Sequence, residues 1–194
     1  KYDIRRLLES VTDERGKITN YEFDAAYRLK KITDPLGHIK EFDYDLMSNL
    51  KLTKDALGNQ TDYVYDDFNR VKEVQYPPFE TGATRLKEIF EYDMIGRVTK
   101  HYDTANRLTQ IAYNDATRIK TVTDAEAKIT QTKYNARGQM IEVKDALNQI
   151  YTFTYNPFGQ ILTQTRAGAT MTFEYNEVGN RKKRIDYAGR ETTY

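Results

Sequence analysis

Along this chain, aromatic and aliphatic positions come in short alternating bursts, and each burst is cut off by a turn signal before it reaches helical length. Tyr21 and Phe23, Phe42 and Tyr44, Tyr63 and Tyr65, Phe90 and Tyr92, Phe153 and Tyr155, and Phe173 and Tyr175 stand two apart. In an extended chain both rings of such a pair face the same way. Each pair runs directly into Asp or Asn. Beyond that point comes a second burst, Leu8, Leu29, Leu50, Val71, Val98, Ile119, Met140 and Ile161, followed three residues later by Val11, Ile32, Thr53, Val74, His101, Val122, Val143 and Gln164. A step of three leaves the face of a regular strand, so a bulge or sharp coil is expected in this half. The six or seven residues between turn signals are too few for a helix and of the usual length for a strand.

The bursts keep time. The aromatic that precedes Asp or Asn falls at Tyr2, Phe23, Tyr44, Tyr65, Tyr92, Tyr113, Tyr134, Tyr155 and Tyr175, in steps of 21, 21, 21, 27, 21, 21, 21 and 20 residues. The whole of 1–194 therefore reads as one array of about nine repeats, not as a set of globular domains. The long step holds an insertion loop at 77–82, and the short step lies around Arg166 to Ala169.

Two turns punctuate each copy. The first follows the aromatic: Asp66 with Asn69, Asp93 with Gly96, and Gly138, Gly159 and Gly179 after Asn135, Asn156 and Asn176. The second lies midway: Asp13 with Gly16, Asp34 with Gly37, Asp55 with Gly58, Asp103 with Asn106, Asp124 with Ala127, Asp145 with Asn148, and Asp186 with Gly189. Asp or Asn at the first position bonds back to the turn backbone, and Gly or Asn at the fourth accepts a positive φ. Eight of the ten glycines occupy this slot. Arg6, Tyr27, Ser48, Thr117 and Ala127 break the rule, which implies strain or another turn type there, with Thr117 the least comfortable. The unit is thus a β-hairpin. Nine in succession predict an all-β chain of about eighteen strands in an antiparallel meander.

Composition narrows the chemistry. Thirty basic against 29 acidic residues leave a net charge of +1, which gives no bulk attraction for nucleic acid or an acidic membrane surface. Without cysteine there is no disulfide, thiolate chemistry or Cys-based zinc site. No apolar run reaches the length of a membrane helix, and no signal peptide precedes the first repeat. The chain opens and closes inside its own pattern and lacks an initiator Met, so a piece of a longer polypeptide is expected. The 16 Tyr and 8 Phe suit a sheet wetted on both faces, where rings brace one another in a ladder and hydroxyls stay in water.

The spellings YDDFNRV at 65–71, YDMIGRV at 92–98 and YDTANRL at 102–108, with TDPLGHIKEFDYD and KDALGNQTDYVYD between copies, resemble the YD repeats of the Rhs family. That family includes bacterial polymorphic-toxin Rhs proteins, wall-associated proteins, subunits of insecticidal toxin complexes and animal teneurins. The resemblance covers essentially the whole chain. It implies a continuous antiparallel sheet coiled into a spiral shell, a secreted or cell-surface bacterial setting reached as part of a larger protein, and two partners in the same parent chain: neighbouring repeats and a C-terminal toxin or effector domain held inside. The family's autoproteolytic core has no counterpart in these residues, so no catalytic position is carried over.

Rival readings are weaker. A nucleophile with a His base has only His38, His101, Ser10 and Ser48 to draw on, and both histidines sit at ordinary repeat positions. Acid pairs such as Asp66 with Asp67 or Asp13 with Glu14 fall on turn positions repeated through the array, which marks scaffold. The period excludes the nonapeptide calcium roll, and an EF-hand lacks its helices and ligand spacing. No enzyme, cofactor or metal is expected. The run Arg181–Arg184 reads as a solvated, degenerate repeat, and no nucleic-acid partner or membrane span is expected. The alternative function is an extracellular adhesion or carbohydrate-binding module using the exposed Tyr rows.

Overall fold

Turn signals spaced at strand length produce strands here. The computed structural model describes residues 1–80 and 82–194; Thr81, part of the expected insertion, lies outside the described residues. Eighteen strands and no helix occur among those residues.

The chain divides into two units, Lys1–Arg107 and Leu108–Tyr194. The first contains β1 (Ser10–Thr12), β2 (Ile18–Phe23), β3 (Leu29–Thr33), β4 (Ile39–Tyr44), β5 (Leu50–Lys54), β6 (Gln60–Tyr65), β7 (Val71–Gln75), β8 (Lys87–Tyr92) and β9 (Val98–Tyr102). The second contains β10 (Leu108–Asn114), β11 (Ile119–Thr123), β12 (Ile129–Tyr134), β13 (Met140–Lys144), β14 (Ile150–Tyr155), β15 (Ile161–Arg166), β16 (Ala169–Tyr175), β17 (Arg181–Ile185) and β18 (Glu191–Thr193). In each unit every strand pairs antiparallel with the next in sequence.

The step of three has a structural answer. In the β2–β3 hairpin Tyr21 opposes Ile32 and Phe23 opposes Leu29, with a register shift that leaves Lys30 as the extra residue. The bulge skips one side chain and returns Leu29 and Ile32 to the face that carries the two rings. The same shift occurs at Tyr44, Tyr65, Tyr92, Tyr134, Tyr155 and Tyr175. The β10–β11 hairpin omits it: Tyr113 pairs with Lys120 and Asn114 with Ile119 in plain register.

The two irregular steps are both resolved at the turns. The short one closes β15 onto β16 with Ala167 and Gly168 alone, at φ 49 and 81, the two-residue turn whose twist matches that of paired strands. The long one connects β7 to β8 and is stapled by Arg85. Its guanidinium donates to the carbonyls of Tyr76 at 2.8 Å, Gln60 at 2.9 Å and Gln75 at 2.7 Å, and pairs with Asp62.

Neither unit has a hydrophobic core. Among the described residues no apolar side chain is buried, and the one buried polar residue is Asp186. The accessible surface is 13814 Å² for 22.7 kDa, against about 9,500 Å² for a globular protein of that mass. A sheet one layer thick must be held by what runs between neighbouring strands, at roughly 0.2–1 kcal/mol per cross-strand pair.

Candidate functional site

With no apolar side chain buried among the described residues, the distinctive features lie along the rims where the turns stand. Each turn is built by one carboxylate or amide folded back on its own backbone. Asp66 Oδ1 accepts from the N–H of Phe68 at 2.9 Å and of Arg70 at 3.0 Å, while Asn69 N–H donates to the Asp66 carbonyl at 3.0 Å. Asn does the same at 135, 156 and 176.

These bonds favour the charged form of the acid. The side chains of Arg70, Asn49 and Asn59 hold Asp66, Asp45 and Asp55 below the ordinary carboxylate range. Main-chain N–H groups of Leu7, Arg28, Arg107 and Arg190 lead the same downward shift at Asp3, Asp24, Asp103 and Asp186. Partial burial is the largest influence at Asp34 and Asp93 and works upward, but the donors of His38 and Arg97 together outweigh it.

The fourth position is left-handed whether or not it is glycine. Gly16, Gly37, Gly58, Gly96, Gly138, Gly159, Gly179 and Gly189 have φ between 74 and 88, and Asn69, Asn106 and Asn148 follow at 59 to 61. Arg6, Tyr27, Ser48 and Ala127 adopt the same conformation at 64, 64, 69 and 59. They keep the turn type and accept its strain. At Thr117 the chain takes the other course: the positive φ moves to Arg118 at 55, and Thr117 N–H donates to Asn114 Oδ1 at 3.0 Å. A β-branched residue is thereby kept out of the left-handed region.

The residue after this slot, basic in the YDDFNRV and YDMIGRV spellings, has a lateral role that sequence reasoning missed. Arg28, Asn49, Arg70, Gln139 and Gln160 each carry a planar head with several donors, and each bonds its own turn or reaches the next. Arg28 donates through Nε to Asp24 at 2.7 Å and through Nη1 to the Asp45 carbonyl and Ser48 Oγ, both at 3.1 Å. Asn49 Nδ2 donates to Asn69 Oδ1 at 2.8 Å, and Arg70 Nη1 to the Asp93 carbonyl at 3.0 Å. With Arg5 lying 5.4 Å over the Tyr27 ring, the first unit has an unbroken zipper from the Asp3 turn to the Asp93 turn. In the second unit Arg137 reaches the Pro157 carbonyl at 3.1 Å and Gln160 the Gly179 carbonyl at 2.7 Å. The signal was in the sequence: a basic or amide residue recurs after the Gly or Asn slot.

The motif aromatics are held differently from the expected ring ladder with wet hydroxyls. Tyr44, Tyr65 and Tyr92 donate to the carbonyls of Leu29, Leu50 and Val71 at 2.9, 2.8 and 2.6 Å, and Tyr155 and Tyr175 to those of Met140 and Ile161 at 2.6 and 2.9 Å. Each bond ties a copy to the bulged pair of the copy before it. Burial raises the phenol pKa of Tyr65, Tyr92 and Tyr155. Arg28 and Arg70 lie 4.6 and 4.5 Å over the rings of Tyr44 and Tyr92. Phe23 and Tyr134 end their strands at the same register position, Tyr2 forms a lone bridge with Leu8, and Tyr113 sits one place back from its strand end.

The remaining candidates are absorbed into the fabric. His38 Nδ1 lies 2.8 Å from Asp34, its own turn residue. His101 stacks on Phe90 at 4.7 Å and lies 2.9 Å from Glu88. Arg181, in an aliphatic slot, covers the Phe173 ring at 4.8 Å. An open cleft of about 430 Å³ lies under the insertion, lined by Asn59, Gln60, Pro77, Phe79 and Arg85 among others. Among the described residues no group of three or more His, Asp or Glu could hold a metal ion, and no helix could cross a membrane.

Residues 6–39 and 134–171 match the family described as RHS Repeat. No curated protein matches the sequence. Among solved structures, TcdB2-TccC3 without hypervariable C-terminal region is similar at TM-score 0.76 and 14% identity, over 94% of this chain and 11% of that one. TcdB2-TccC3-Cdc42 follows at TM-score 0.61 and 12% identity, over 95% of this chain and 12% of that one. TcdB2-TccC3-TEV is similar at TM-score 0.58 and 17% identity, over 94% and 13%. The chain thus spans only about a ninth of the length of the first of these, and the likeness is one of fold.

Proposed function

We propose that this chain, an array of RHS repeats, is wall material: a segment of a hollow shell that confines a toxin or effector domain of the same parent polypeptide until it is delivered outside the producing cell. In this reading residues 1–194 act as one array with the 77–82 loop as its single insertion, and its immediate partners are neighbouring repeats and the enclosed domain. The aromatics and turn residues serve as scaffold and carry no chemistry.

The observation that carries this reading is a sheet without a core whose copies are tied laterally through turns and bulges. Such a material keeps water on both faces, which a container wall requires and a compact enzyme does not. Seven hairpins bulge at the same place, and a bulge bends its strand and adds twist, so repeating it favours winding. The likeness to TcdB2-TccC3, one form of which lacks a hypervariable C-terminal region, supports carrying the idea of an enclosed C-terminal domain to this chain.

Limited proteolysis of the full-length parent tests it. The C-terminal region should resist protease while the shell is intact and be digested once mild denaturant opens it. Digestion at equal rates in both conditions would end the container reading. If a glycan array instead shows binding that Phe79→Ala removes, the exposed Phe79 over the cleft is a sugar platform and the adhesion reading replaces it.

A further inference from the structure

The insertion at 77–82 adds residues that no hairpin or repeat turn needs. Phe79 is nonetheless held 81% exposed, and with Pro77, Glu80, Asn59, Gln60 and Arg85 it lines the open cleft of the first unit. The side-chain nitrogens around this cleft are engaged elsewhere. Asn59 Nδ2 donates to Asp55 Oδ2 at 2.9 Å and Gln60 Nε2 to Asp62 Oδ1 at 2.8 Å, while the Arg85 guanidinium is spent on the carbonyls of Tyr76, Gln60 and Gln75 and on Asp62. What the lining leaves over can only accept: the amide oxygens of Asn59 and Gln60 and the Glu80 carboxylate, none of which has a partner among the described residues. Lys54 stands beside Gly58, its Cε 3.8 Å from where a Cβ would lie, but forms no ion pair with Glu80.

An aromatic face, a carboxylate and free amide oxygens together suit a cation that carries N–H groups. A sugar brings oxygens that must themselves find donors, and a quaternary ammonium has no N–H to give. The same set occurs elsewhere in the unit with its cation in place. Arg70 lies 5.0 Å over the Phe68 ring, donates through Nε to Asp66 at 2.7 Å and through Nη1 to the Asp93 carbonyl at 3.0 Å. Arg28 serves the Tyr44 ring, Asp24 and the Asp45 carbonyl in the same way. In both, one planar guanidinium stacks by its face and donates by its edge, which the compact ammonium of lysine does not do. At Phe79 the ring, the carboxylate and the oxygens line one cleft, and the donors of Arg85 face the backbone and Asp62.

We propose that the insertion cleft is a receptor for an arginine side chain on an extended segment of a partner, whose guanidinium stacks on Phe79 and donates to Glu80 and to the amide oxygens of Asn59 and Gln60. The site goes beyond the wall reading and does not depend on it.

Amide chemical-shift titration of the 194-residue chain with the peptide acetyl-Gly-Arg-Gly-amide tests it, beside the same peptide carrying lysine or citrulline, the uncharged isostere of arginine. The arginine peptide should shift the amides of Asn59, Gln60, Phe79 and Glu80 saturably, with a dissociation constant on the order of 1 mM. Citrulline should bind about tenfold more weakly, as should the arginine peptide on Glu80→Gln, because each change removes one charge of the pair. Phe79→Ala should weaken the arginine peptide about threefold. The lysine peptide should fall below arginine, since it offers no planar face or fork. Absence of a saturable shift at the cleft, citrulline binding as tight as that of arginine, or undiminished binding to Glu80→Gln or Phe79→Ala would overturn the site. Lysine binding as tightly as arginine would overturn its assignment to a guanidinium. The citrulline and lysine comparisons are made on the wild-type chain, so they decide whatever happens to the fold of a variant. Protease protection of the parent's C-terminal region, which judges the wall reading, can hold or fail with either outcome here.

Discussion

At the fourth position of a turn, one dihedral sets the cost of a substitution. Ala127 sits at φ 59 without the freedom of glycine. Ala127→Gly should raise stability by about 1 kcal/mol, seen as a higher urea midpoint. Gly179 is the reverse case: its φ is 85, and an added Cβ would meet Gln160 Nε2 at 3.2 Å. Gly179→Ala should cost about 1–2 kcal/mol and loosen the Gln160 bridge as well; a variant with an unchanged midpoint would contradict this account. Tyr92→Phe keeps the ring under Arg70 but removes the 2.6 Å bond to the Val71 carbonyl, for an expected loss of about 1 kcal/mol.

The element is the hairpin with its carboxylate turn, and its stability should depend on pH in one direction. Nine turn aspartates, Asp3, Asp24, Asp34, Asp45, Asp55, Asp66, Asp93, Asp103 and Asp186, have pKa values lowered by folding. Groups depressed in the native state contribute stability above their unfolded pKa and lose it as pH falls through the folded one. The urea midpoint should therefore be flat above about pH 5 and drop steeply below about pH 4. Asp66→Asn offers an internal check. Asn builds the same turn at 135, 156 and 176, so the variant should fold and show a shallower acid loss. An unaltered acid profile would mean that the turn carboxylates do not set it.

For the whole molecule, stability without a core is a sum over neighbours in each unit, as in other repeat arrays. Less surface is hidden than in a globular protein of this mass, so unfolding should expose less. Calorimetry should give a heat-capacity change per residue below the roughly 12–15 cal/mol/K of globular proteins. A value inside that range would point to apolar burial that the described surface of 13814 Å² does not contain.

Hairpin length, the number of strands, the bulge and the turn chemistry were all readable in the sequence, because strand and turn preferences act over a few residues and a 21-residue beat repeats them nine times. The bulge is a clear instance: the step of three from Leu29 to Ile32 calls for a bulge or a sharp coil, and the register shift at Phe23 is the bulge. The escape at Thr117 was readable only as discomfort, since a sequence shows that a conformation is unfavourable but not which neighbour takes it over. What the tertiary structure alone decided was lateral. That Arg28 crosses to Asp45, that the Tyr92 hydroxyl donates to the Val71 carbonyl, and that Leu46, Phe68 and Met94 share a rim depend on which copies lie side by side. Bonds of this kind join residues 14 to 23 positions apart, and pairing brings such residues within reach at distances that local preference has no means to specify.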